Sequence, residues 1–224
     1  MTSRFVFGRY ETMRILIPGL YFSTLLLLVV WAARPFLAQS LYLNELVGVL
    51  IFGSMVLVSG LTLYAKETTK KRKAFLENQP SLFIKQKARS MSGLATVEEN
   101  EARRFYFYLL NNHIPETFHE KIFYFGTIYH IMTQIRRTSF WFGLLSLGLI
   151  LFLISSGFAV AQMTGLLVLS IVVWLIYLLN VRYNKADRKI QENYQDQIYW
   201  LEMNDELVEG LLRKKYSTTS EEHA

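Results

Sequence analysis

Four long runs without a single Asp, Glu, Lys, Arg or His constrain this chain more than any other feature. They read "ILIPGLYFSTLLLLVVWAA" (Ile15 to Ala33), "LVGVLIFGSMVLVSGLTLY" (Leu46 to Tyr64), "FWFGLLSLGLILFLISSG" from Phe140, and "TGLLVLSIVVWLIYLL" (Thr164 to Leu179). About 20 mostly apolar residues cross a hydrocarbon core of about 30 Å, so each run is read as a membrane span. The third is short and draws on the following "FAVA" to reach full thickness. The last two spans are joined by a few residues and form a tight hairpin. A charged flank precedes the first run, which is too long for a signal-peptide core and has no small-x-small cleavage site after it. It therefore reads as a retained span.

The polar residues are crowded between these runs. Of 224 residues, 52% are hydrophobic and 19% charged, against about 25% charged in a soluble domain. The expected fold class is all-α: an integral membrane protein with four transmembrane helices and a helical cytoplasmic module. Its segments are an N-terminal tail with spans 1 and 2 (1–64), a cytoplasmic basic linker and helical hairpin (65–137), spans 3 and 4 (138–180), and a cytoplasmic C-terminal helix and tail (181–224).

Orientation follows from the basic residues, because loops rich in Lys and Arg stay cytoplasmic. Of the 24, all but Arg34 fall before span 1, between spans 2 and 3, or after span 4. Both termini and the central loop are thus expected in the cytoplasm, and the location is the inner or plasma membrane. Ionisable groups inside spans mark proton relays and ion pathways, and these spans contain none. That argues against a proton-coupled transporter. Small residues let helices approach closely, and Gly53, Gly60 and Gly143 are the candidate packing positions. Packing within one chain and a contact between copies are both open readings. A homo-oligomer is the expected assembly.

Residues 65–94 carry the whole net charge of +6. The cluster Lys70, Lys71, Arg72 and Lys73 lies about two turns past span 2. Such a patch attracts anionic lipid headgroups at roughly 1 kcal/mol per residue. A basic run without a recognisable fold is a weak nucleic-acid signal, so direct nucleic-acid binding is not expected. "NQP", Asn78 to Pro80, breaks the chain there. "TVEE" then has the capping-box spacing, Thr96 to Glu99, and starts a helix that ends at "NNH".

From Pro115 the residues Phe118, Ile122, Phe125, Tyr129 and Met132 recur at spacings of four and three, an amphipathic helix. No breaker separates it from span 3. Past span 4, Ile190, Tyr194, Ile198 and Leu201 form a second stripe, continued by Val208 and Leu212. A one-faced stripe needs a partner. The two stripes are candidate contacts with each other, with another copy or with a cytosolic protein. The tail "STTSEEHA" reads as disordered.

Three of the four histidines, His113, His119 and His130, crowd one segment. The segment lacks H-E-x-x-H, because Phe123 stands where the second His should be. His119 and His130 are eleven residues apart, about 16 Å along a helix, too far to share a metal. Glu116-x-x-His119 matches half of a carboxylate-bridged di-iron motif, without a second copy in the chain. The sequence has no Cys, no nucleophile elbow and no phosphate-cradling glycine loop. No catalytic residue, metal or cofactor is expected.

The leading functional expectation is a non-enzymatic scaffold or sensor that couples the membrane to a cytosolic partner. Membrane subunits of bacterial two-component phage-defence systems resemble this general build, in architecture only. The alternatives are an oligomeric pore gated by its cytoplasmic helices and a membrane metalloenzyme. The first reading makes Phe125 matter more than the histidines. Replacing His119 and His130 with Gln is expected to leave partner association unchanged in affinity capture. Phe125→Glu is expected to uncouple the cytoplasmic contact from the membrane.

Overall fold

Hydrocarbon offers a backbone no hydrogen-bond partner but itself, which leaves helices as the simplest spanning structure. The computed structural model describes residues 3–36, 45–67, 79–92 and 96–217, and no strand occurs among them. Among the described residues the α-helices are, in order, α1 (Ser3–Ala33), α2 (Glu45–Glu67), α3 (Pro80–Ser90), α4 (Glu99–Asn112), α5 (Glu116–Ser155), α6 (Thr164–Tyr183), α7 (Lys185–Met203) and α8 (Asp205–Tyr216). Helices α1, α2, α5 and α6 contain segments long and apolar enough to cross a membrane. The cluster Lys70, Lys71, Arg72 and Lys73 and the tail 218–224 lie outside the described residues. The chain divides into two compact units, Met1–Lys70 with Gly126–Asp187, and Lys71–Phe125 with Arg188–Ala224.

In the first unit, Leu25 and Val29 of α1, Phe142 of α5 and Val173 of α6 form a common core. Ala32, Ile150, Leu153, Met163 and Leu166 form a second core at the C-terminal end of α1, one turn further on. Helix α2 packs along α1 at a glycine crossing. A Cβ on Gly19 would run into the Val56 carbonyl oxygen, and one on Gly60 into the Ile15 carbonyl oxygen. The reciprocal pattern sets bare Cα carbons against carbonyls, a recurring close contact between membrane helices. Pro18 adjoins this crossing inside α1, where it withholds one backbone donor. Gly143 of α5 accepts the indole of Trp174 from α6, whose Cε2 would lie 2.9 Å from an added Cβ. A Cβ on Gly53 would meet nothing within 4 Å among the described residues. The seven-residue spacing of Gly53 from Gly60 therefore does not put it in the α1–α2 crossing, where Gly60 and Gly19 meet.

The second unit has its own core. Ile84 and Ala88 of α3, Ala102, Phe105 and Leu109 of α4, Leu201 of α7, and Val208 and Leu212 of α8 are all buried in it. Three sequence expectations change here. The basic linker contains a helix, because Pro80 serves as its first residue after Gln79 rather than as a breaker alone. The start of α4 falls at Glu98, whose N–H donates to Glu101 Oε2 at 3.3 Å, and not at Thr96. Buried Val97 and Ala102 flank that start at the positions of a hydrophobic staple, which favours the later register. The C-terminal helix is two helices. Asn184 closes α6 in the left-handed conformation, φ 42°, which Asn tolerates better than most residues. Asn204 ends α7 with its side-chain amide donating to the Trp200 carbonyl, 2.8 Å.

The glycine crossing yields a direct comparison. Gly60→Ala is expected to cost about 1–3 kcal/mol through overpacking against backbone, and Gly53→Ala to stay within about 0.5 kcal/mol. Thermal unfolding of the detergent-solubilised chain measures both.

Candidate functional site

Ionisable and amide side chains inside a helical bundle are costly unless paired, so the places where this chain pairs them are the candidate sites. Each unit has one.

In the first unit, a polar seam ties α1, α2 and α5. Tyr64 of α2 donates to Glu11 Oε1 of α1 at 3.1 Å. Arg14 Nε donates to Thr127 Oγ1 of α5 at 3.2 Å, its guanidinium reaching over Gly126. Gln134 Nε2 donates to the Leu63 carbonyl of α2 at 3.0 Å. Tyr21 and Ser139 share a hydrogen bond of 2.7 Å. On α5 the residues Thr127, Gln134, Thr138 and Ser139 are nearly or fully buried. Gln134 shows why the seam is specific. Its amide reaches a carbonyl of α2 near the last turn of that helix, so α2 and α5 are held in register there. Polar pairs between membrane helices contribute roughly 0.6–2 kcal/mol each. The sequence reading missed this seam. Its signal was the Thr127–Gln134–Thr138 spacing of seven and four, which an apolar-only periodicity passes over.

The second unit buries polar groups beside its apolar core. Tyr106 of α4 donates to the side-chain amide oxygen of Gln197 on α7. Burial, together with neighbouring Tyr194, pushes the Tyr106 hydroxyl well above its ordinary pKa, so it stays a donor. Asn193, one turn before Gln197, is also buried. Among the described residues, Asn193 Oδ1 and Gln197 Nε2 have no hydrogen-bond partner. Lys87 of α3 bridges Asp205 and Glu209 of α8, the latter at 3.0 Å. Burial lowers the pKa of this ammonium, but the two carboxylates outweigh it and leave it above the ordinary lysine value. Lys121 pairs with Asp196 across α5 and α7.

The residues singled out from sequence distribute as follows. Phe118 and Ile122 pack against the core of the second unit. Phe125 lies under Lys189, whose Nζ is 5.6 Å from the ring centroid. Tyr129 belongs to the first unit and stands beside His130, ring centroids 5.7 Å apart. Ile190 and Leu201 are buried, whereas Tyr194 and Ile198 are half-buried. The buried face of α7 therefore runs Ile190, Asn193, Gln197, Leu201, rotated slightly from the apolar stripe because α4 offers Tyr106 as a polar partner. Leu201, Val208 and Leu212 complete the core of the second unit, so the C-terminal helices are part of that unit rather than a detachable arm.

The histidines do not converge on one another's chemistry. His113 caps α4 with its ring 5.5 Å from Tyr108. His119 is half-buried. Among the described residues, no three His, Asp or Glu side chains gather closely enough to hold a metal ion.

Tyr106→Phe is expected to destabilise α7 docking by about 1–3 kcal/mol, the cost of leaving a buried amide without its donor. Adding Gln197→Leu to that variant is expected to recover most of the loss. Hydrogen exchange of the α7 amides reports both. Comparison with protein-family models, with curated proteins and with solved structures finds no match to this chain.

Proposed function

We propose that this protein is a non-enzymatic, multi-pass scaffold or sensor of the inner or plasma membrane, with both termini in the cytoplasm, coupling the bilayer to a cytosolic protein. It would act as the membrane subunit of a larger complex, with anionic headgroups meeting its basic linker. The observation that carries the reading is α5. This helix runs unbroken from Glu116 to Ser155, contributing Phe118 and Ile122 to the core of the second unit and Phe142, Ile150 and Leu153 to the cores of the first. A rearrangement of either unit thus acts on a helix the other also uses.

Two further features support it. The second unit leaves Phe107, Tyr108, Tyr199 and Met203 exposed, and exposed aromatic and methionine side chains are enriched where proteins meet proteins. The interior between α1, α5 and α6 is filled by Leu25, Val29, Phe142 and Val173, which favours a scaffold over a conduction path through one chain.

A photo-crosslinking residue placed at Tyr199 or Met203 of the full chain in cells is expected to give a discrete adduct with one cytosolic protein. Adducts formed between copies of this chain alone, or none above background, would overturn the partner.

A further inference from the structure

A donor buried without an acceptor forfeits a hydrogen bond it had with water, so such donors are rare in folded chains. Helix α5 carries two, one turn apart. Thr133 Oγ1 and Arg136 Nη2 are both sealed from solvent, and neither has a hydrogen-bond partner among the described residues. Other basic side chains find acceptors. Lys87 meets Asp205 and Glu209, Lys121 meets Asp196, Lys189 meets Glu192, and Arg14 donates to Thr127. None of the ion pairs among the described residues includes Arg136.

The helix brings the two donors together. Residues three apart share a face, and helical side chains lean toward the N-terminus of their helix. The long Arg136 side chain is therefore directed back over the turn that carries Thr133. On the same face, one turn the other way, Phe140 packs on Trp174 and Tyr177 of α6, ring centroids 6.1 and 5.4 Å away. The apolar run of α5 begins at Phe140, and Trp and Tyr gather at the hydrocarbon boundary. Arg136 lies four residues before Phe140, about 6 Å of helix. The headgroup layer on each face of a bilayer is about 5–8 Å thick. With α5 crossing the membrane, the Arg136 backbone is at headgroup depth.

The chemistry of the donors selects the occupant. A guanidinium offers N–H donors only and keeps its charge. Water would satisfy a donor but leave a partly desolvated charge unbalanced. A phosphate group supplies both a negative charge and several acceptor oxygens, and its geometry matches the guanidinium fork. We propose that Thr133 and Arg136 form a binding site for a phosphate group, Arg136 clamping it and Thr133 donating to a second oxygen. The phosphate belongs to a lipid headgroup or to a soluble anion, and the lipid source rests on reading α5 as a membrane span. The site is separate from the basic cluster Lys70, Lys71, Arg72 and Lys73.

The test uses the full chain in a neutral maltoside detergent. Native mass spectrometry follows titration with phosphatidylglycerol, and diacylglycerol with the same acyl chains is the phosphate-free control. Inorganic phosphate is the second probe, read as a rise in the unfolding temperature of the delipidated chain. Arg136→Gln is expected to weaken phosphate binding about tenfold or more. Thr133→Val, which keeps the side chain's shape, is expected to weaken it roughly two- to tenfold and serves if Arg136→Gln does not fold. Arg182→Gln removes the same charge from an exposed position on α6 and is expected to change binding by less than about twofold. A preference for phosphatidylglycerol without a phosphate-induced rise assigns the site to a headgroup. A rise without that preference assigns it to soluble phosphate, and both together mean that the site takes either. Neither effect, or effects that Arg182→Gln removes as fully as Arg136→Gln, would overturn the site. The crosslink at Tyr199 reads the cytosolic partner separately, so either proposal can fail alone.

Discussion

Forty residues of uninterrupted helix, Glu116–Ser155, are the constraint on which the rest depends. A helix of that length must satisfy three kinds of surroundings in turn. Its first turns present Phe118 and Ile122 to an apolar core made by α3, α4, α7 and α8. Its middle buries Thr127, Gln134, Thr138 and Ser139, with Arg14, the α2 backbone and Tyr21 as polar partners. Its last turns offer Phe142, Gly143, Ile150 and Leu153 to neighbours as apolar as lipid. In water such apolar faces are driven together; between helices in hydrocarbon that drive is absent, and close packing and polar pairing take its place.

The first unit shows how that substitution works. Its glycines at the α1–α2 crossing have no side chain to bury. They let two backbones approach until Cα carbons meet carbonyls at Gly19 and Gly60. The Tyr64–Glu11 pair then gives the crossing a register, and Arg14–Thr127 and Gln134–Leu63 tie both helices to α5, so sliding any one of the three by a residue would break two of these bonds. Close packing alone is tolerant of sliding. Directional hydrogen bonds are not.

The second unit uses the opposite balance. Phe105, Leu109, Leu201, Val208 and Leu212 are buried in one apolar cluster, and the charged pairs Lys87–Asp205 and Lys121–Asp196 sit at its edge. The departure is α7, where Asn193 and Gln197 occupy the buried face between Ile190 and Leu201. The apolar periodicity of α7 was legible as Ile190, Tyr194, Ile198 and Leu201, so the helix and its approximate face could be read. The polar half of that face could not, because an amide is buried only where another helix supplies its partner. Here that partner is Tyr106, 91 residues earlier in the chain. The extra helix at Pro80–Ser90 escaped notice for a related reason. Past its first two residues its buried positions are Ile84 and Ala88, too few to show a period amid the basic residues.

The sequence by itself determined that this chain is helical, that four stretches are long and apolar enough to cross a membrane, and that an amphipathic stripe leads into the third. Those properties are local: length, hydropathy and spacing of three and four. Only the tertiary structure decided which small residues are used. Gly60 meets Gly19 across two helices, and Gly143 meets Trp174. A Cβ on Gly53, which has the same local credentials, would meet nothing within 4 Å among the described residues. It also decided that Gln134 and Gln197 are buried connectors rather than rim. Whether a glycine or an amide is structural depends on what lies opposite it, and the residue opposite is fixed by packing between distant segments, which spacing along one helix does not encode.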